Sequence, residues 1–165
     1  MSLQRFHEAQ SAPRAGHITA LGEVHSGGKQ SHWIWYIFPQ LAGLGYSSTA
    51  SFYALRNLDE ACDYLRDPVL RARYGEIATA VAMQLEKGAS VGYLLSGSTD
   101  ALKLVSSLTL FRAASIRLAE TEATPEYSSI AKLCDSILRL TASQGYPPCT
   151  FTIERCTDAS RGKRG

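Results

Sequence analysis

The stretch that decides the fold is Asp100-Ala101-Leu102-Lys103-Leu104-Val105-Ser106-Ser107-Leu108-Thr109-Leu110-Phe111-Arg112-Ala113-Ala114-Ser115-Ile116-Arg117-Leu118. Leu104, Leu108, Phe111, Ser115 and Leu118 recur at steps of three and four, so they share one face of a helix and turn it toward a core. The same spacing sets Lys103 and Ser107, four residues apart, together at the edge of that face, with Ser106 pointing away. The turn Ser96-Gly97-Ser98 marks its start.

Other segments keep the helical period. Asn57 precedes the stripe Leu58, Ala61, Cys62, Leu65, and Glu60 stands three residues after Asn57, which is capping-box spacing. Asp67-Pro68 restarts the chain as N-cap and first helical residue, followed by Leu70, Tyr74, Ile77, Val81 and Leu85, with Gly88 as the stop. Thr124-Pro125 repeats the cap-and-proline signal before Ile130, Cys134, Ile137 and Leu138. A further helix is expected from about Ala15 to His25, and a short one over residues 2 to 10. No segment sustains the alternation of a half-buried strand; Thr150-Phe151-Thr152-Ile153 alternates briefly but has no evident partner. The expected architecture is all-α, a compact single-domain multi-helix bundle of short and medium helices. The domain is expected over 1–150, with a C-terminal extension over 151–165 whose last residues are disordered.

Composition agrees. A chain of 165 residues with 45% apolar and 19% charged residues is globular rather than disordered and long enough for one core. No apolar run reaches bilayer length, and Met1-Ser2-Leu3-Gln4-Arg5 carries no apolar signal core, so a cytosolic protein off the membrane is expected. Net charge is +2, and Arg161, Lys163 and Arg164 place three positive charges in a tail rather than on a basic stripe, which disfavours nucleic acid as a partner. Cys62, Cys134, Cys149 and Cys156 contain no Cys-x-x-Cys pair, and the four histidines no i,i+4 pair. With no metal-ligand spacing and no phosphate loop, neither a metal nor a cofactor is expected.

Residues 29–40, Lys-Gln-Ser-His-Trp-Ile-Trp-Tyr-Ile-Phe-Pro-Gln, hold both tryptophans, Trp33 and Trp35. Two readings stand side by side. The aromatics are a core anchor, since each buries roughly 150–250 Å²; or they wall a pocket, stacking on a planar ligand while Lys29, His32 and Gln40 orient it. On the second reading Tyr53, Arg56, Lys103 and Ser107 converge on the same place. Lys103 or Arg56 then neutralises an anion, and His32 serves as acid or base. No Gly-x-Ser-x-Gly elbow is present, so a serine nucleophile has little support. The expected ligand is an anionic small molecule, nucleotide-like or of ADP-ribose type. The alternative is a non-catalytic domain with a protein partner.

The string from Lys29 to Gly45 resembles the hallmark of domain-of-unknown-function family 1810, some of whose members carry a loose calpastatin label. Leu3-Gln4-Arg5-Phe6 with Ala9-Gln10, Tyr53-Ala54-Leu55 with Leu58-Asp59-Glu60-Ala61, Asp67-Pro68-Val69-Leu70, and Asp100 to Phe111 are similar to that family in the same order. The likeness covers roughly residues 3 to 150. It implies a compact, mostly helical domain and no established activity. Two departures stand out. Gly145-Tyr146-Pro147-Pro148-Cys149-Thr150 has Pro148 where the resemblance expects an aspartate, and Gly92-Tyr93-Leu94-Leu95-Ser96 loosens a short Ile-Phe-Gly helix end.

Overall fold

The computed structural model describes residues 2–162, with side chains described as far as Asp158. Among these residues ten helices follow one another: α1 Gln4–Ser11, α2 His17–His25, α3 Ile34–Ile37, α4 Ser48–Tyr53, α5 Leu58–Arg66, α6 Pro68–Glu86, α7 Val91–Leu94, α8 Ser98–Thr121, α9 Glu126–Ser143 and α10 Thr150–Gly162. Among the described residues there is no strand, only an isolated parallel bridge between Leu41 and Leu55. No helix among them is long and apolar enough to cross a membrane.

The long helix α8 is the axis of the molecule. It packs on α9 and α5 and is covered further by α10, α3 and α7, while α6 carries α2 and α9. Leu104, Val105, Leu108, Leu110, Phe111, Ala114 and Leu118 are all buried. A helix apolar on nearly every side belongs inside a protein. Two placements therefore differ from the spacing argument. Ser107 is not at an edge but fully buried, its hydroxyl 3.0 Å from that of Tyr74. Ser106 is also buried and donates to the Leu102 carbonyl at 2.9 Å. The reason is α10. The alternating residues 150–153 form its first turn, and the Cys149 amide donates to Thr109 Oγ1 at 3.1 Å, closing the side of α8 that a single amphipathic stripe would leave wet. Thr152 and Cys156 are buried against that side. The basic tail residues Lys163 and Arg164, and the disorder expected at the chain end, lie outside the described residues.

An aromatic cluster fills the centre: Tyr74 and Phe111 at 4.4 Å between ring centroids, Tyr64 and Phe111 at 5.1 Å, Phe6 and Tyr64 at 5.2 Å. Burial pushes both tyrosine phenols far up, so they stay neutral donors or acceptors, and Gln10 donates to Tyr64 at 2.9 Å. The helix starts follow the sequence with small changes. Asn57 Oδ1 accepts from the Glu60 amide at 3.0 Å, but the Glu60 carboxylate turns to the Arg56 amide, Arg56 Nε and buried Arg5 instead of closing the capping box. Asp67 Oδ1 accepts from Val69 and Leu70, and Oδ2 meets His7 Nε2 at 2.6 Å. Thr124-Pro125 opens α9 with Pro125 as N-cap and the Thr124 carbonyl accepting from Tyr127.

Candidate functional site

The loop from Ser26 to Trp33 is built around one carboxylate. Glu23, in the last turns of α2, accepts from the Gln30 amide at 2.7 Å, the Ser31 amide at 2.8 Å, the Ser31 hydroxyl at 2.5 Å and the Trp33 indole N–H at 2.9 Å. Burial alone would raise its pKa, but the Ser31 hydroxyl and these N–H donors outweigh it and bring the pKa down to about 2. The result drives the Trp33 indole into the core, fully buried beside Phe38.

Lys29 is the second anchor. Its amide donates to the Leu94 carbonyl at 2.8 Å, its carbonyl accepts from the Ser96 hydroxyl, and its buried ammonium meets Asp100 Oδ2 at 2.9 Å. Asp100 lies in the first turn of α8, and its other oxygen is 3.5 Å from Lys103 Nζ. Lys103 in turn lies over the Trp35 ring, 5.1 Å from its centroid. The 29–40 and 100–111 stretches thus meet through Lys29, Asp100, Lys103 and Trp35.

Trp35 is half-buried and faces a shallow, open groove of about 510 Å³ between α3 and α4. His32, Tyr36, Ser48, Thr49, Phe52 and Tyr53 complete it. Tyr53 is central to its packing, 5.1 Å from Tyr36 and 4.8 Å edge-on to Phe52. The Tyr36 hydroxyl donates to the Ala15 carbonyl at 2.7 Å. Burial raises the pKa values of Tyr36 and Tyr53, in Tyr53 with help from Glu8, so the groove presents neutral phenols, one exposed imidazole and no carboxylate wall. What holds α4 against the rest is the parallel bridge, with Ala42 N–H to Leu55 O at 2.8 Å and Leu55 N–H to Gln40 O at 3.0 Å. Gly45 is needed there: a Cβ on it would sit 2.6 Å from that of Ala50.

Of the residues singled out from sequence, His32, Trp35 and Tyr53 line this groove and Lys103 covers Trp35. Lys29 lies behind it, tied to Asp100. Trp33 and Ser107 lie in the core. Gln40 belongs to the bridge and Arg56 is exposed and paired with Glu60, so neither lines the groove. The sequence reading missed Phe52, Ser48 and Thr49, because α4 has no apolar period; the signal was its cap, Ser47 accepting from the Ala50 amide. It missed Glu23 too, whose partners follow seven to ten residues later at no recognisable motif spacing. Among the described residues no three histidine, cysteine or acidic side chains are grouped to hold a metal.

The fold and groove define a small all-helical domain with one aromatic surface cleft. Residues 1–130 match the family described as protein of unknown function (DUF1810), and the chain belongs to that family. It is also similar to a conserved hypothetical protein of Mycobacterium tuberculosis, Rv1873, known from a crystal structure: 30% identity and a TM-score of 0.70, over 92% of this chain and 94% of that one. No curated protein matches it.

Proposed function

We propose that this domain binds a planar, anionic small molecule in the cleft between α3 and α4. The observation that carries the reading is the position of Trp35, an indole shared between the cleft and a lysine. A ring laid against Trp35, Tyr36 and Tyr53 stacks on aromatic surface. Lys103, only loosely engaged by Asp100 at 3.5 Å, supplies positive charge beside it. The ligand class that combines a flat ring with phosphate is nucleotide-like, ADP-ribose derivatives included. If chemistry occurs there, His32 is the imidazole in reach to take or give a proton.

A thermal-shift screen with nucleotides and sugar phosphates tests this. A ligand at 100 times its dissociation constant should add roughly 2.7 kcal/mol. The shift should vanish in Trp35→Ala and shrink in Lys103→Met, and silence from every anionic metabolite sinks the proposal. One observation favours a protein partner instead: the cleft is shallow, with Phe52 46% exposed and Tyr46, just ahead of α4, 96% exposed. Binding that persists for a peptide but not for any metabolite would select that reading.

A further inference from the structure

A second cavity, remote from the aromatic cleft in its lining, lies between α8, α9 and α10. Its volume is about 470 Å³, within the range of small-molecule sites. Ala113, Leu138, Ala142, Pro148, Ile153 and Cys156 give it mainly apolar walls. Thr109 and Thr157 also face it, but their hydroxyls are spent on the Val105 and Ile153 carbonyls, at 2.7 and 2.8 Å. Most of these residues fall beyond residue 130, where the family match ends.

The charges at its rim are unbalanced. Arg112 and Arg139 both line it, and Asp135 is the one carboxylate among its lining residues. Asp135 Oδ1 meets Arg112 Nε at 3.1 Å and Oδ2 meets Arg139 Nε at 3.1 Å. The two guanidiniums thus share one carboxylate through their Nε atoms, Arg112 half-exposed and Arg139 largely exposed at the rim. Among the described residues, no acceptor meets the terminal nitrogens of either one. Those terminal pairs are the donors that grip a carboxylate in a two-point contact. One carboxylate between two guanidiniums leaves a net positive charge at the rim.

We propose that this cavity is a binding site for an amphipathic carboxylate of the fatty-acid class, its chain lying between α8 and α10 and its head group taken by Arg112 and Arg139. An apolar chain answers the walls, and one negative charge answers the surplus guanidinium. Neither a neutral lipid nor a cationic amphiphile satisfies both.

Isothermal titration of the full chain with decanoate tests it, with octanoate, decanol and decyltrimethylammonium as comparison ligands. Decanoate should bind saturably at one site, roughly tenfold tighter than octanoate for two buried methylenes. The double variant R112Q/R139Q should weaken decanoate roughly tenfold, as expected for lost charged hydrogen bonds, and leave decanol unchanged. D135N should tighten decanoate by removing the one negative charge at the rim. Ala142, exposed on α9, gives a surface route to block the cavity, and A142W should abolish binding without unfolding the chain. The proposal is overturned by no saturable decanoate binding, by decanol or the cationic amphiphile binding as tightly as decanoate, or by indifference to A142W. A concentration-dependent dimer that protects this face and excludes decanoate would also overturn it, assigning the cavity to a second copy of the chain.

Discussion

Trp33 and Trp35 stand two residues apart in one helical entry and have opposite fates. Trp33 is wholly enclosed, its indole N–H is met by Glu23, and the ammonium of Lys29 lies 5.2 Å from its ring. Trp35 is half-buried, its ring lies under Lys103, and it borders open space. The contrast shows how to separate architecture from site within one motif. Where every polar atom has a partner and the ring has no exposed face, the residue holds the fold. Where the ring keeps a free edge next to a loosely held charge, there is something left to bind. Lys29 follows the first pattern and Lys103 the second. Both reach the same Asp100, which makes that carboxylate the hinge of the comparison.

The contrast breaks most visibly at Trp33. Trp33→Ala should cost about 3–5 kcal/mol, since it empties a closed site, and urea unfolding will read it. Glu23→Ala comes next, at about 2–3 kcal/mol, because it strands the indole N–H and two loop amides. Glu23 also sets an acid limb. Its carboxyl titrates at about 2 in the folded chain against an ordinary 4.5. A depressed carboxyl stabilises above its unfolded value and loses that contribution as pH falls. Stability should therefore decline from about pH 4.5 toward pH 2, and Glu23→Gln should flatten that decline. Should the acid limb be unchanged in the variant, the loop is not held by this carboxylate. Asp100→Asn should cost less, about 1–2 kcal/mol, because Asp100 is partly solvated while the ammonium it leaves behind is buried. The Lys29→Met, Asp100→Leu pair should recover part of the loss.

The sequence made the scaffold legible where periodicity and caps coincide: Asn57, Asp67-Pro68 and Gly88 bound helices that form at those places. The period of α8 gave its core face but not its surroundings. A stripe says which side is buried against something, and it is silent on whether the other sides are covered as well. That is why Ser106 and Ser107 read as peripheral and lie inside. Short helices were the other blind spot. α4 and α7 are too brief to show a period, and α4 carries two of the aromatics of the cleft. Within the 29–40 motif, composition named the right residues but could not assign them. The deciding partner of Trp33 is a glutamate ten residues upstream, on another helix.

The smallest expected effect on stability is at Trp35, and it is the most informative for function. Trp35→Leu removes an edge-exposed ring and should cost only about 1 kcal/mol in urea unfolding. The same change leaves the Lys103 ammonium without its aromatic face, so Lys103 should swing more freely between Asp100 and solvent. In a nucleotide titration the variant should lose binding altogether while its fold is intact. Trp35→Phe, which keeps a ring of smaller area, should retain weakened binding. That graded order, tryptophan above phenylalanine above leucine, is what stacking demands. A buried anchor such as Trp33 would instead show its losses in stability first. If Trp35→Leu proves as destabilising as Trp33→Ala, the two indoles share one role and the cleft is only the margin of the core.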